Sequence, residues 1–208
     1  MTTESTGLRE RKKQRTRQAL VEAAVRLFAE KGYEAVTVAE IAEAADVSTR
    51  TFFLHFPAKE DVLFANADVR IDLALKAVAE RGSTNRLADV LVRAMERMIA
   101  DTWESDLTSG LAALRARLAG SAPVLQARLL QRYMAAQTEL ARALHQAYPA
   151  EVDEVAAAAL VGAAIGAVSA ATMASLQRGD SPEAVRDAMR QAMDLVTGPR
   201  RLASRPPG

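Results

Sequence analysis

The stretch 47–56, VSTRTFFLHF, packs three of the chain's five phenylalanines, three hydroxyl side chains, one arginine and one of its two histidines into ten residues. Phe52 and Phe56, four apart, fall on one face of a helix and can anchor it. Ser48, Thr49, Arg50 and Thr51 make a polar tip carrying one cation. Elsewhere the residue types that do catalysis are badly placed for it. His55 and His145 stand alone without metal-ligand spacing, and the absence of cysteine removes disulfides, thiol catalysis and Cys-ligated zinc. There is no Gly-rich phosphate loop and no serine in a G-x-S-x-G elbow. Glu151, Asp153 and Glu154 sit at a helix start, where acids favour the macrodipole. The reading is a binding protein, not an enzyme, with no metal and no cofactor.

The elements that must position this tip follow from composition and periodicity. At 208 residues and 50% apolar, the chain can bury a substantial core. Scarce β-branched clusters and few regularly spaced turn signals predict an all-α fold of about nine helices. The lack of cysteine fits a reducing cytoplasm, and the start MTTESTGLRERKKQ carries no apolar stretch of a secretory signal. Net charge is only +1, yet LRERKKQRTR at 8–17 holds six Lys/Arg, among them Arg11, Lys12 and Lys13, against Glu10. This run reads equally as an arm that touches phosphates or as a solvated, frayed terminus.

From about 11 to 31, Leu20, Ala23, Ala24, Leu27 and Phe28 form one helical stripe, and Gly32 follows as a C-terminal stop. Thr37-Val38-Ala39-Glu40 reads as a capping box that opens a short helix to about Ala45. After a tight turn at Asp46-Val47, Ser48 caps another short helix that Pro57 closes. Two short helices joined by so few residues have helix-turn-helix spacing.

Beyond Pro57 longer helices are predicted at 59–81, 86–103, 107–119, 122–147, 152–178 and 182–197, with a disordered tail at 198–208. The 21 uncharged residues 156–176 are long enough to cross a membrane. Ten of them are alanine and acids flank the start, which favours a buried helix in soluble protein. Gly162, Gly166 and Ala170 make a small-residue groove, and the last helix offers Val185, Met189 and Met193. Two such helices from each of two chains would form a four-helix interface.

The segment 17–64, RQALVEAAVRLFAEKGYEAVTVAEIAEAADVSTRTFFLHFPAKEDVLF, resembles the DNA-binding domain of the TetR family of bacterial transcriptional regulators. The likeness rests on LFAEKGYEAVTVAEIA and on the VSTRTFF and HFPAKEDV runs. It implies a three-helix DNA-reading domain at 11–58 and a ligand-binding and dimerisation domain at 59–197. It further implies a homodimer on double-stranded operator DNA, in the cytoplasm and not in a membrane. Ser48, Thr49, Arg50 and Thr51 would then enter the major groove, with Arg50 able to grip guanine O6 and N7. His55 and Lys59 match positions that hold the DNA backbone, and Thr37 would cap its helix beside another phosphate, although His55 also reads as a satisfied core histidine. Two residues depart from the family: Phe53 stands where tyrosine is common, and Asp46 where the turn glycine is frequent.

In the body the order of helices fits the family, and the run 113–144, ALRARLAGSAPVLQARLLQRYMAAQTELARAL, is similar to actinobacterial members that bind acyl-CoA or other lipophilic molecules. Candidate lining residues for a small, largely apolar effector are Met95, Met98 and Trp103, then Leu111, Leu114 and Leu118, then Tyr133 and Met134. Gln137, Ser169 and Thr172 could add directional bonds. Each of these also reads as ordinary core packing. A repressor released by its ligand is the expectation. An activator or ligand-independent regulator of the same fold, and more remotely a membrane-associated helical protein, are the alternatives.

Overall fold

The computed structural model describes residues 3–82, 85–119 and 122–198. Among these residues nine α-helices and no strand are found: α1 (Thr3–Lys31), α2 (Val38–Ala44), α3 (Thr49–His55), α4 (Ala67–Ala79), α5 (Leu87–Asp101), α6 (Leu111–Ala119), α7 (Pro123–Ala147), α8 (Glu154–Gln177) and α9 (Pro182–Thr197). The tail at 199–208 lies outside the described residues. The chain divides into two compact units, Met1–Ala65 with Ser109–Arg128, and Asn66–Thr108 with Leu129–Gly208.

In the first unit α1 starts at Thr3, so the basic run is part of a 29-residue helix and not a frayed arm. Its inner stripe buries Leu20, Ala24 and Phe28 together with Ile41, Phe52 and Phe56. Each large apolar side chain so buried contributes about 1.5–3 kcal/mol. Gly32 ends α1 in the left-handed region at φ +83°, its N–H donating to Phe28 O at 3.1 Å. The capping box forms: Thr37 Oγ1 accepts from Glu40 N at 3.2 Å, and Glu40 accepts from Thr37 N at 2.9 Å. Lys31 Nζ donates to the same carboxylate at 2.7 Å. This hydrogen bond and those from Thr37 hold the Glu40 pKa down to about 2. Asp46 makes the turn at φ +54°, a conformation its short polar side chain tolerates.

Two boundaries differ from the sequence expectation. The first unit takes in residues 59–65 and 109–128, where the sequence places a domain boundary at 58. The reason is that α6 packs on α1 and buries Leu111, Leu114 and Leu118 there. Arg115 Nη1 donates to Leu63 O at 3.0 Å, and Arg128 pairs with buried Asp61 at 3.1 Å. The helix expected at 59–81 is also interrupted. Lys59–Phe64 is a tight 3-10 turn, and α4 begins at Ala67. The Ala65 carbonyl, which an unbroken helix would use internally, accepts instead from Arg17 at 2.8 Å.

In the second unit α4 packs along α5, α8 along α9, and α9 against α5. The break expected after 103 is a π-turn, Thr102–Leu107, with Thr108 N donating to Trp103 O five residues back at 3.3 Å. The wide turn carries fully buried Asp106 to Arg70, 2.5 Å away, which also pairs with Asp101 at 3.0 Å. Asn66 Nδ2 donates to Asp106 at 2.9 Å.

The expected self-association stripe is occupied within the chain. Val185, Met189 and Met193 are buried, because α9 turns them toward α8 and α5. The positions above Gly162 and Gly166 are taken by the Gln137 amide and the Tyr133 hydroxyl of α7. Of that set only Ala170 stays exposed. α8 is long and apolar enough to cross a membrane by length and composition, but it packs along α9 and buries Val161, Ala164, Ile165 and Val168.

Gly32→Ala should lower stability by about 1–2 kcal/mol, the cost of a Cβ in the left-handed region. Nothing lies within 4 Å of the added Cβ, so Gly32→Asn, which tolerates that region, should lose less in urea unfolding.

Candidate nucleic-acid interface

α3 is held from inside and open outside. Phe52 and Phe56 are buried with ring centroids 5.6 Å apart. Ser48 Oγ accepts from Thr51 N at 3.1 Å and lies 2.9 Å from Thr51 Oγ1. These two hydroxyls therefore cap the helix as well as lining its tip. Thr49, Arg50, Phe53 and Leu54 are exposed, Phe53 at 55% and Leu54 at 73%. Sequence reasoning misses Leu54 because a lone leucine in a short helix looks like core.

Arg17 is the other residue whose place the sequence does not reveal. It closes the basic run, yet it is half-buried, its guanidinium 4.3 Å from the centre of the Phe56 ring. It donates to His55 O and to Ala65 O, each at 2.8 Å. Arg11, Lys12, Lys13 and Arg15 on the same helix are exposed.

The three expected backbone-holding residues differ in setting. Thr37 is exposed and engaged in its capping box. Lys59 is an internal brace: Nζ donates to Tyr33 O at 2.8 Å and Val36 O at 2.9 Å and sits 4.2 Å from the Tyr33 ring centre. His55 is half-buried, and its Nδ1 is enclosed without a hydrogen bond. Burial, then the charges of Arg17 and Lys13, push its pKa below the usual histidine value.

The residues expected to line a pocket are divided between the two units. Leu111, Leu114 and Leu118 belong to the first unit and the others to the second. Met95 is buried core. Met98 is half-buried and Ser169 exposed. Thr172 spends its hydroxyl on Val168 O at 2.7 Å. Trp103 lies under the Arg186 guanidinium, 4.1 Å from the ring centre. Tyr133 and Gln137 cover the α8 glycines. A groove of about 410 Å³ does run between α7 and α8, lined by Met134, Gln137, Thr138, Ala141, Arg142, His145, Glu154 and Ala158. Only Met134 and Gln137 of the expected set border it.

Residues 20–65 match the family model for bacterial regulatory proteins of the tetR family. The HTH-type transcriptional regulator TcmR of Streptomyces glaucescens is 32% identical over 151 residues, 71% of this chain and 67% of that protein. The chain belongs to the TetR family. A putative TetR-family regulator from Syntrophomonas wolfei shares the fold at TM-score 0.63 and 17% identity, over 91% of this chain and 98% of that one. Thermus thermophilus FadR, a TetR-family repressor in complex with lauroyl-CoA, matches at TM-score 0.50 and 20% identity, over 92% and 100%. Related regulators from Bacillus subtilis and corynebacteria match over less than half of their own length. The chain is thus a TetR-family DNA-binding transcriptional regulator.

Two outcomes test the geometry of the head. Arg17→Gln should cost about 2 kcal/mol of stability through two charged hydrogen bonds and a ring contact. It should leave the slope of log affinity against log salt unchanged, whereas neutralising Arg11, Lys12 or Lys13 should flatten that slope by about 0.9 for each phosphate that loses its cation. For His55 the folded pKa lies below the unfolded value of about 6.5. Its contribution is therefore full above about pH 6.5 and shrinks as pH falls, because the unfolded chain takes up the proton more readily than the folded one. Urea midpoints between pH 7.5 and 5.5 should fall less steeply for His55→Gln than for the wild type.

Proposed function

We propose that the chain is a homodimeric, cytoplasmic repressor that binds operator DNA through paired α3 helices and is released by a small, largely apolar effector. The observation that carries the reading is the outward arc of α3, with Arg50 exposed beside Thr49 on a helix locked from behind by Phe52 and Phe56. Arg50 reads guanine by its two-donor fork. Thr37, Ser48, Thr51 and His55, with Arg11, Lys12 and Lys13, supply contacts to the phosphate backbone. Lys59 is assigned to bracing the head, since two of its three donors are already engaged.

Self-association is assigned to what α8 and α9 leave uncovered. Fewer than a third of the residues in the apolar stretch of α8 are buried, which leaves part of its apolar surface available to a partner. Val155, Ala159, Ala163, Ala170 and Ala174 of α8 and Leu195 of α9 are exposed. A twofold dimer meets half-sites roughly 34–36 Å apart, one DNA turn. The effector site is assigned to the α7–α8 groove, whose volume of about 410 Å³ suits a small molecule. Met134, Ala141 and Ala158 give it apolar lining, and Arg142 and His145 can meet an anionic group. The lauroyl-CoA complex of the Thermus relative supports an amphipathic acyl compound as the class to try first.

Sedimentation should give a dimer for the wild type and a monomer with reduced operator affinity for Ala163→Glu. A monomeric wild type with full affinity overturns the dimer. Lauroyl-CoA should lower operator affinity by at least about fivefold, the lower end of ordinary coupling. If it binds and operator affinity is unchanged, the protein is a ligand-independent regulator.

A further inference from the structure

At about 100° per residue, Thr49, Phe53, Arg50 and Leu54 follow one another around α3 in that order, over an arc of roughly 140°. Polar and apolar side chains therefore alternate across the exposed face, and Arg50 is flanked by Phe53 on one side and Leu54 on the other. Single exposed apolar residues need no explanation. Two of them bracketing a cation, on a seven-residue helix of a DNA-binding protein, do. Phe53 is also held in orientation: its ring meets the Phe52 ring at 5.5 Å and 84°, and Phe52 is fully buried. Ser48 and Thr51 spend hydroxyl capacity on each other and on the cap, which leaves readout to the other four.

Phosphate gives a phenyl ring and an isobutyl group nothing to bond. Of the features that bases show in the major groove, only the thymine C5-methyl is apolar. Resting on the DNA-binding reading above, we propose that Phe53 and Leu54 are specificity-determining residues that read thymine methyl groups on either side of the guanine gripped by Arg50. The operator half-site is then defined chemically: a hydrogen-bonded purine between two methyl contacts, one assigned to each side chain.

Duplexes selected from a random pool by the full-length wild type provide the probe. Each thymine of the selected half-site is replaced singly by deoxyuridine, which removes the methyl and keeps the pairing. The expected result is about a fourfold loss of affinity at two positions, the worth of one buried methyl each, and little change elsewhere. Phe53→Ala should abolish the methyl sensitivity at one position and Leu54→Ala at the other. The ratio between thymine and uracil duplexes is internal to each variant, so a general loss of folding does not imitate this. Equal binding of thymine and uracil duplexes at every position overturns the proposal, as does a loss in both alanine variants that is the same for the two duplexes. Recovery of no duplex at all would sink the DNA-binding reading and this proposal together.

Discussion

The DNA-reading head depends on one half-buried cation. Arg17 lays a planar guanidinium over Phe56 and aims its donors at two carbonyls, His55 O and Ala65 O. Both carbonyls lie at ends of helical segments, where backbone acceptors lack intrahelical partners. A single side chain thereby satisfies the end of α3 and the end of the 3-10 turn that follows it. A lysine would not replace it, since a point charge cannot stack on a ring and bond in two fixed directions. The residue belongs by sequence to a run of exposed cations, and it is burial that separates its task from theirs.

Most of the head is legible in the sequence because its signals are local. A threonine three residues before a glutamate, a serine before a polar turn, a glycine after an apolar stripe and a proline after an aromatic cluster each dictate backbone geometry within four residues. Asp46 reads as a left-handed turn without glycine, and it is one. Where the head departs from that reading, the partner lies far along the chain. The Arg17 carbonyls are 38 and 48 residues away, and the residues held by Lys59 are 26 and 23 away. Charge alone suggests solvent or phosphate for both. The joining of α6 to the head is illegible for the same reason, since its leucine stripe is compatible with any apolar neighbour.

The body shows the limit of periodicity more clearly. Val185, Met189 and Met193 do form one apolar face, but a face does not say what covers it. Here α5 and α8 cover it. The π-turn reads as a chain break because Thr102 to Leu107 lacks a clean 3.6-residue pattern. The extra residue brings Asp106 to Arg70 and Asn66 in the interior. A buried ion pair of this kind adds little net stability, since desolvation offsets the attraction. Losing one partner, however, would strand a charge. The network therefore fixes how α4 lies on α5 far more than it strengthens the unit.

The stacking of Trp103 under Arg186 has a spectroscopic consequence. The chain has a single tryptophan, and it belongs to the second unit, carried by the π-turn under Arg186 of α9. Intrinsic emission excited at the indole band is therefore blind to the first unit, while far-ultraviolet circular dichroism weighs helices from both. The two signals will superimpose during denaturation only when the units melt as one cooperative block. A regulator whose halves come apart separately would show itself by the gap between the curves, with no label added.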